Sequence, residues 1–454
     1  MGADGRVLID MHTAREDALE IFLHALKASR VEPAMERCVH FRDGAMEIDG
    51  RRYGLSDYER LVLVALGKAA ETMTSAFLRQ AGSSAERFEG IVVGPVGAAL
   101  SPRLRGYCGG HPSPNEASVA AAADILQMLE SLTERDLVVF LVSGGGSAMV
   151  EGFLQPGVSL ATMAATHRAL VESGAPIAAM NAVRKHLSAV KGGRLAAAAA
   201  PAEQVTILVS DVPAGELDAL SSGPTMPDRS TVEDVYRIAK EFGLTELLPA
   251  DVAAQLEERS LSKTPNETLK ETPKPGDAVF ARSHWRVLLD STTLERAAAE
   301  RAAELGWHVE IDDACDDWSA ERAAAYLVER VREMRRERER VCLLAAGEVT
   351  VQVPGGATGK GGRNQHFALL CSQLIAGEAM TVLSGGSDGI DGNSDAAGAI
   401  VDGATVERAE AAKFPVATAL AEFDAYSLLT LLGDTIKIGA TGNNLRDLRI
   451  LLAP

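Results

Sequence analysis

The sequence predicts an α/β protein whose sheet is mostly parallel. Short apolar runs such as LVLVAL (61–66), LVVFLV (137–142) and VCLLAA (341–346) alternate with stretches of helical spacing rich in Ala and Leu. Because these runs are apolar throughout, they indicate strands that helices cover on both faces. Further strands are predicted at 90–94, 204–210, 286–290, 308–311, 349–353 and 380–384. Helices are predicted at 14–29, 70–81, 116–131, 158–173, 186–200, 231–242, 293–305 and 319–339.

The alternation is interrupted once, and the interruption predicts a domain boundary. The chain has 454 residues, enough for two or three domains. Residues 257–277 carry three prolines and many charges without an apolar period, which indicates an exposed connector. We therefore predict an N-terminal domain over 1–262, a connector over 263–278 and a C-terminal domain over 279–454.

Composition excludes several classes of protein. Lys and Arg number 45 against 63 Asp and Glu, a net charge of −18, and such an acidic surface disfavours nucleic acid as a partner. Five cysteines form no CxxC pair, so neither a zinc site nor a disulfide framework is indicated. Apolar runs too short for a bilayer and the lack of a secretory leader predict a cytoplasmic protein with no membrane partner. An anionic substrate would need basic residues gathered locally.

A glycine cluster directly follows the apolar run 137–142. It reads Ser143, Gly144, Gly145, Gly146 and Ser147. Ligands of α/β sheets bind at the carboxyl ends of strands, and glycines let backbone N–H groups approach an anion closely. The cluster predicts a phosphate-binding loop, with a plain glycine-rich turn as the alternative. It matches neither GxGxxG nor the Walker A pattern.

Cations gather in two further places. The segment 181–196, NAVRKHLSAVKGGRLA, holds four of them in eleven residues, and this favours anion binding over the alternative, a solvated basic face. Lys68 opens a predicted helix, where the helix dipole disfavours a positive charge unless an anion is also present. A surface lysine is the alternative. A glycine-rich loop at 355–362 resembles a Walker A loop only superficially. It places Lys360 and Arg363 just before a predicted helix.

Carboxylates follow other predicted strands. Asp211 stands just past a strand, Glu348 lies between two strands, and Asp388 belongs to the acidic, glycine-rich segment 383–403. These are positions for a metal ligand or a base, although a turn or helix cap is an equal alternative for Asp211. The acidic segment does not fit the EF-hand spacing.

Together these features favour phosphoryl transfer to a small acid over redox chemistry. Phosphoryl transfer needs positioned cations, Mg²⁺ and an orienting group or base rather than a covalent nucleophile. The sequence carries no dinucleotide fingerprint and no GxSxG motif.

The same residues resemble a known family, the glycerate 2-kinases, also called class II glycerate kinases or the MOFRL family. The resemblance runs from about residue 14 to 452 over ten ordered motifs, among them GKAAETM (67–73), LVSGGGSAM (141–149), GKGGRNQ (359–365) and SDGIDGNSDAAGAI (387–400). It implies a Rossmann-like N-terminal domain, a C-terminal α/β domain of the MOFRL type and an active site in the cleft between them. It also implies ATP- and Mg²⁺-dependent phosphorylation of D-glycerate to 2-phosphoglycerate. A homo-oligomer is left open.

The resemblance implies roles for the basic residues. Lys68 and Arg363 are expected to neutralise charge on the transferring phosphoryl group. The loop 143–147 and Lys191 are expected to bind the nucleotide. Three side chains are expected to bind the substrate: Asn181, Arg184 and Lys185.

The roles of the carboxylates are our own hypothesis. Asp211 or Asp388 orients or deprotonates the substrate hydroxyl, while Asp211 and Glu348 bind Mg²⁺.

The chain departs from the usual family pattern at several positions, among them His366, Asn443 and Arg446, and also at 213–216 and 387. These departures leave Lys68 and Arg363 intact, but Arg446 or His366 would suit a different or larger hydroxy acid as substrate. Two alternatives stay open, a hydroxypyruvate reductase and a catalytically silent nucleotide-binding relative.

Overall fold

The computed structural model describes residues 3–155, 157–213, 215–256, 269–356 and 358–454, with the backbone alone for residues 3–12. The chain forms two compact units. The N-terminal unit is Val31–Leu288, and the C-terminal unit joins Met1–Arg30, which contains helix α1 (Ala3–Ala28), to Leu289–Pro454.

The N-terminal unit is built on a six-stranded sheet. Its strands are β4 (Leu61–Leu66), β5 (Phe88–Gly94), β6 (Leu104–Cys108), β7 (Leu137–Ser143), β8 (Glu203–Val209) and β9 (Ser283–Leu289), and a separate antiparallel sheet holds β1 (Val39–Arg42), β2 (Ala45–Ile48) and β3 (Arg51–Gly54). Its helices are α2 (Val31–Cys38), α3 (Ala70–Ala81), α4 (Glu116–Leu129), α5 (Gly146–Met149), α6 (Leu160–Glu172), α7 (Ile177–Leu187), α8 (Arg194–Ala199), α9 (Val232–Glu241), α10 (Leu244–Leu247) and α11 (Ala250–Leu256).

The topology of this sheet brings two loops to one edge. The strand order is β6-β5-β4-β7-β8-β9, and β6, β5, β4, β7 and β8 run parallel. The predicted mostly parallel, Rossmann-like sheet is therefore confirmed. In the register of β4 with β7, Leu66 lies beside Val142. The turn that begins at Gly67 and the glycine loop that begins at Ser143 therefore leave the sheet side by side.

The C-terminal unit has a mixed sheet. Its strands are β10 (His308–Ile311), β11 (Val341–Ala346), β12 (Thr381–Gly386), β13 (Gly398–Asp402), β14 (Thr435–Ile436) and β15 (Asp447–Ala453), in the order β10-β11-β15-β12-β13-β14. Only the pairing of β10 with β11 is parallel among these six strands. Besides α1, its helices are α12 (Ser291–Glu304), α13 (Ala320–Glu337), α14 (Arg363–Leu374), α15 (Thr405–Ala411), α16 (Val416–Ala421) and α17 (Ala425–Leu432).

Two elements differ from the prediction. Residues 349–353 form no strand; a single bridge joins Thr350 to Ser319, and Thr350 is exposed. The predicted strand 286–290 belongs to β9 of the N-terminal sheet, so that sheet extends past the predicted boundary.

The compact units also divide the chain elsewhere than the predicted ranges 1–262 and 279–454. Within the predicted connector, residues 263–268 lie outside the described residues. Thr272 is buried, and its Oγ1 donates to Asp228 Oδ2 at 2.9 Å, so this part of the connector packs on the N-terminal unit. In the part of the chain that the structure describes, no helix is long and apolar enough to cross a membrane.

Candidate functional site

The glycine loop after β7 is tied to the turn after β4. Ser143 Oγ accepts from the N–H of Ala69 at 3.0 Å, and the Lys68 N–H donates to the carbonyl of Gly144 at 2.9 Å. On the other side, Ser221 Oγ donates to the carbonyl of Ser143 at 2.6 Å. These bonds hold two segments of distant sequence in one fixed arrangement at the sheet edge.

Side chains lie close to the glycines of the loop, and Gly145 has the positive φ that glycine favours. A Cβ on Gly144 would lie 1.8 Å from Asp211 Oδ2. Gly145 has a φ of +85°, and a Cβ there would lie 3.0 Å from Lys68 Cγ and 3.2 Å from His111 Cδ2. The structure therefore brings together three predicted features, the loop, Lys68 and Asp211. It adds His111, which the sequence analysis missed.

Among the described residues, no carboxylate pairs with Lys68. Its side chain is exposed, and it forms no ion pair with any residue that the structure describes. The charge of Lys68 also acts on His111. Burial of the imidazole, and then the positive charge of Lys68, lower the pKa of His111. An exposed ammonium group beside a glycine loop is suited to an anionic ligand.

A pocket of about 550 Å³ opens beside the loop. Its polar lining is His111, Ser113, Ser147, His167, Arg168 and Arg184. Arg184 is half-buried; its Nη1 lies 3.5 Å from Asn181 Oδ1, and its Nε has no partner among the described residues. Burial lowers the pKa of Arg184, opposed only by Glu151. A guanidinium group so poorly satisfied is suited to an anion in the pocket.

Lys185 and Lys191 differ from the prediction that both line anionic ligands. Lys185 Nζ lies 2.9 Å from Asp218 Oδ2 and 3.2 Å from Asp228 Oδ1. Lys191 is buried, and its Nζ lies 2.5 Å from Glu151 Oε2. In the structure, both ammonium groups are therefore paired with carboxylates of the protein, and neither lines the pocket beside the loop.

A second cluster surrounds Arg363, the first residue of α14, in the C-terminal unit. Arg363 Nε donates to Asp447 Oδ2 at 2.6 Å, and its Nη2 lies 2.6 Å from Glu348 Oε1. Burial by itself lowers the pKa of Arg363, but the two carboxylates outweigh it and raise the pKa. Burial raises the pKa of Glu348, against the effect of Arg363. Glu348, predicted as a metal ligand, is thus a partner of Arg363.

A pocket of about 630 Å³ adjoins Arg363. Asp388 lines it, and its Oδ1 accepts from the N–H of Ile390 at 3.1 Å. The buried Asp391 also lines it and accepts from two N–H groups at the start of α14, those of Asn364 and Gln365, at 3.1 and 2.9 Å. Burial raises the pKa of Asp391, and these hydrogen bonds oppose the rise.

Three of the departures from the family pattern are packed against other residues. His366 lines this second pocket and stacks on Phe423, with ring centroids 5.4 Å apart. Arg446 is buried and forms two bonds to Asp316, of 2.5 and 2.6 Å. Asn443 Nδ2 donates to the carbonyl of Ser29 at 2.8 Å. Only His366 of the three lines a described pocket beside the predicted site residues.

The described residues hold no group of three or more His, Cys, Asp or Glu side chains suited to a metal ion. Asp211 and Glu348, predicted as metal ligands, lie in different units. Mg²⁺ is commonly held by one or two carboxylates together with substrate phosphates, so Asp211 beside the glycine loop fits that role without such a group.

Comparison with known proteins finds two family models and several relatives that are similar to this chain. The domain of unknown function DUF4147 matches residues 17–257, and the MOFRL family matches residues 341–447. A D-glycerate 2-kinase of Thermotoga maritima is 34% identical over 86% of this chain and 90% of its own length. A protein of Agrobacterium vitis, provisionally named hydroxypyruvate reductase, is 34% identical over 87% of this chain and 99% of its own.

A solved structure is similar over almost the whole chain. The crystal structure of a glycerate kinase from Thermotoga maritima superposes with a TM-score of 0.81 at 32% identity, covering 98% of this chain and 100% of that one. The sequence matches span both units, and the solved structure has the same fold. The chain therefore belongs to the glycerate kinase family.

Proposed function

We propose that this protein is an ATP-dependent kinase that phosphorylates the 2-hydroxyl group of D-glycerate, giving 2-phosphoglycerate. The observation that carries the proposal is a pocket lined by Arg184 and by the glycine loop, whose Gly145 lies against the Lys68 side chain. Phosphoryl transfer depends on such preorganised cations and amides. The names of the glycerate kinases similar to this chain support the same reaction.

Each group has a distinct part in the proposed reaction. The amides of the glycine loop bind nucleotide phosphates, and Lys68 neutralises charge on the group being transferred. Arg184 binds the carboxylate of glycerate. ATP enters as its Mg²⁺ complex, and Asp211 is the carboxylate beside the loop that would contact the ion.

Arg363 is proposed as a second cation for the transferring phosphoryl group. Two carboxylates hold its guanidinium in a fixed orientation, which leaves its Nη1 without a bond to any described residue. Glu348 is proposed to orient Arg363, in place of the predicted role as a metal ligand.

A product assay tests reaction and position together. The protein is incubated with ATP, Mg²⁺ and D-glycerate, ADP is followed, and the product is resolved by phosphorus NMR against 2- and 3-phosphoglycerate. We expect ADP and 2-phosphoglycerate in equal amounts. Formation of 3-phosphoglycerate would contradict the position alone.

The two alternatives give different results. A hydroxypyruvate reductase would oxidise NADH with hydroxypyruvate and form no ADP. A catalytically silent relative would bind ATP without turnover on D-glycerate or on other small hydroxy acids. Either result would overturn the kinase proposal.

A further inference from the structure

A histidine with a buried carboxylate partner lines the pocket beside the glycine loop. His167 lies on α6, a helix that starts where Ser159 Oγ accepts from the N–H of Thr162 at 3.1 Å. His167 Nε2 lies 2.9 Å from Glu151 Oε2, and the Phe153 ring meets the imidazole edge-on at 6.5 Å. The imidazole is thus held in one orientation.

The partner of His167 is ionised. Glu151 is 1% exposed and also contacts Lys191 Nζ at 2.5 Å and Ser188 Oγ at 3.2 Å. Burial raises the pKa of this carboxyl group, but Lys191 and His167 outweigh it and keep the pKa below its ordinary value. A carboxylate can only accept a hydrogen bond, so Nε2 carries the proton and Nδ1 has the lone pair.

The lone pair of His167 is available in the pocket. Nδ1 has no hydrogen bond to any described residue, and the side chain of His167 is 19% exposed. The other charged groups that line the pocket, Arg168 and Arg184, cannot accept a proton. The buried Glu151 is already engaged by Lys191.

His111 is the other imidazole that lines the pocket, and the charge beside it has the opposite sign from the charge beside His167. A proton on His111 would lie beside the positive charge of Lys68, whereas a proton on His167 would lie beside Glu151. A carboxylate that stabilises the imidazolium is the arrangement found in histidine bases of hydrolases. The geometry therefore favours His167 as the group that takes a proton.

We propose that His167 is the general base of the reaction and that Glu151 is its positioning residue. This inference rests on the proposed kinase function. The proton of the acceptor hydroxyl moves to His167 Nδ1 while the hydroxyl oxygen forms a bond to the γ-phosphorus of ATP. The bond from that phosphorus to the β–γ bridging oxygen breaks, and ADP leaves with the electron pair. His167 replaces Asp211 and Asp388 in the role of base.

The chain contains a matched control. His186 Nε2 lies 2.9 Å from Glu271 Oε1, the same contact as between His167 and Glu151. The side chain of His186 is fully buried, however, and its Nδ1 bonds to the carbonyl of Ala182 at 2.8 Å. His186 therefore has no nitrogen left for a substrate.

The test compares His167→Gln with His186→Gln. A glutamine at 167 keeps an amide donor for Glu151 but cannot take up a proton. We expect kcat to fall about 10²-fold or more with little change in KM, and the acidic limb of the kcat pH profile to disappear. His186→Gln is expected to lower thermal stability but to keep that acidic limb.

A second variant keeps the test decisive if the glutamine variant does not fold. His167→Ala leaves room for imidazole, and added imidazole is expected to restore turnover in a saturable manner. A wild-type kcat and pH profile in His167→Gln, or no rescue of a folded His167→Ala, would overturn this inference and leave the kinase function standing. A wild-type protein that forms no ADP would overturn both.

Discussion

Lys68 in the N-terminal unit and Arg363 in the C-terminal unit are both proposed to act in catalysis, yet each is held differently within its own unit. Lys68 is exposed, and no carboxylate among the described residues neutralises its charge. Arg363 is bound by Asp447, whose side chain is 3% exposed, and by Glu348, whose side chain is 30% exposed. The comparison shows that, of the two proposed catalytic cations, Arg363 is also part of an ion-pair network within its unit, whereas Lys68 has no carboxylate partner among the described residues.

The largest effect is expected from Lys68→Ala. We expect kcat to fall about 10²-fold or more, because the ammonium group neutralises charge that develops in the transition state. The free energy of unfolding should change by less than about 0.5 kcal/mol, as for other exposed side chains. ADP release and urea denaturation measure the two quantities.

The control for Lys68 is the exposed Lys240 on α9. Lys240→Ala should leave both quantities unchanged. An unchanged kcat in Lys68→Ala would remove Lys68 from the mechanism, and a large loss of stability would show that its charge has a structural partner.

Arg363→Ala should lower kcat and stability together. Removing the guanidinium leaves the buried Asp447 carboxylate without its partner, at an expected cost of about 1–3 kcal/mol in the free energy of unfolding. The double variant Arg363→Ala with Asp447→Asn should recover much of the stability but none of the activity. Full stability of the single variant would contradict the comparison with Lys68.

The glycine loop and its cations could be predicted from sequence because their signals are local. A buried strand followed by Ser143–Ser147 specifies a loop at the sheet edge whatever the rest of the chain does. Lys185 and Lys191 could not be placed in the same way. Their carboxylate partners include Asp218 and Glu151, which lie 33 and 40 residues away along the chain, so the ion pairs exist only once the chain has folded.

The direction of the strands in the C-terminal unit could not be predicted from the sequence pattern either. Continuous apolar runs indicate burial on both faces, and an antiparallel strand inside a sheet satisfies that as well as a parallel one. The central strand β15 pairs antiparallel with β11 and β12. At residues 349–353 the sequence pattern predicted a strand that the structure does not contain. Their alternation is typical of a strand, but only Thr350 forms a β-bridge.

A final comparison concerns two buried glutamates, Glu151 in the N-terminal unit and Glu295 in the C-terminal unit. Glu151 faces the cations described above. Glu295 instead faces Asp313, and both accept from the Ala346 N–H, at 2.7 and 3.0 Å. Burial, and then the hydrogen bond and charge of Asp313, raise the pKa of Glu295 from 4.5 to about 9.

The raised pKa of Glu295 predicts a pH-dependent stability of definite sign. The folded protein keeps a proton on Glu295 that the unfolded chain loses above about pH 4.5, so stability is present at low pH and is lost as pH rises towards about 9. The loss cannot exceed about 1.4 kcal/mol per pH unit.

Glu295→Gln should remove this dependence, because the amide donates to Asp313 and still accepts from Ala346 without titrating. Urea denaturation should show the variant matching the wild type near pH 5 and exceeding it increasingly towards pH 9. Glu151→Gln is expected to have the opposite effect at neutral pH. It should lower the free energy of unfolding below that of the wild type, since it leaves Lys191 buried without a counter-charge. Parallel stability curves for Glu295→Gln and the wild type would show that Glu295 is ionised in the fold and that Asp313 is not its proton-sharing partner.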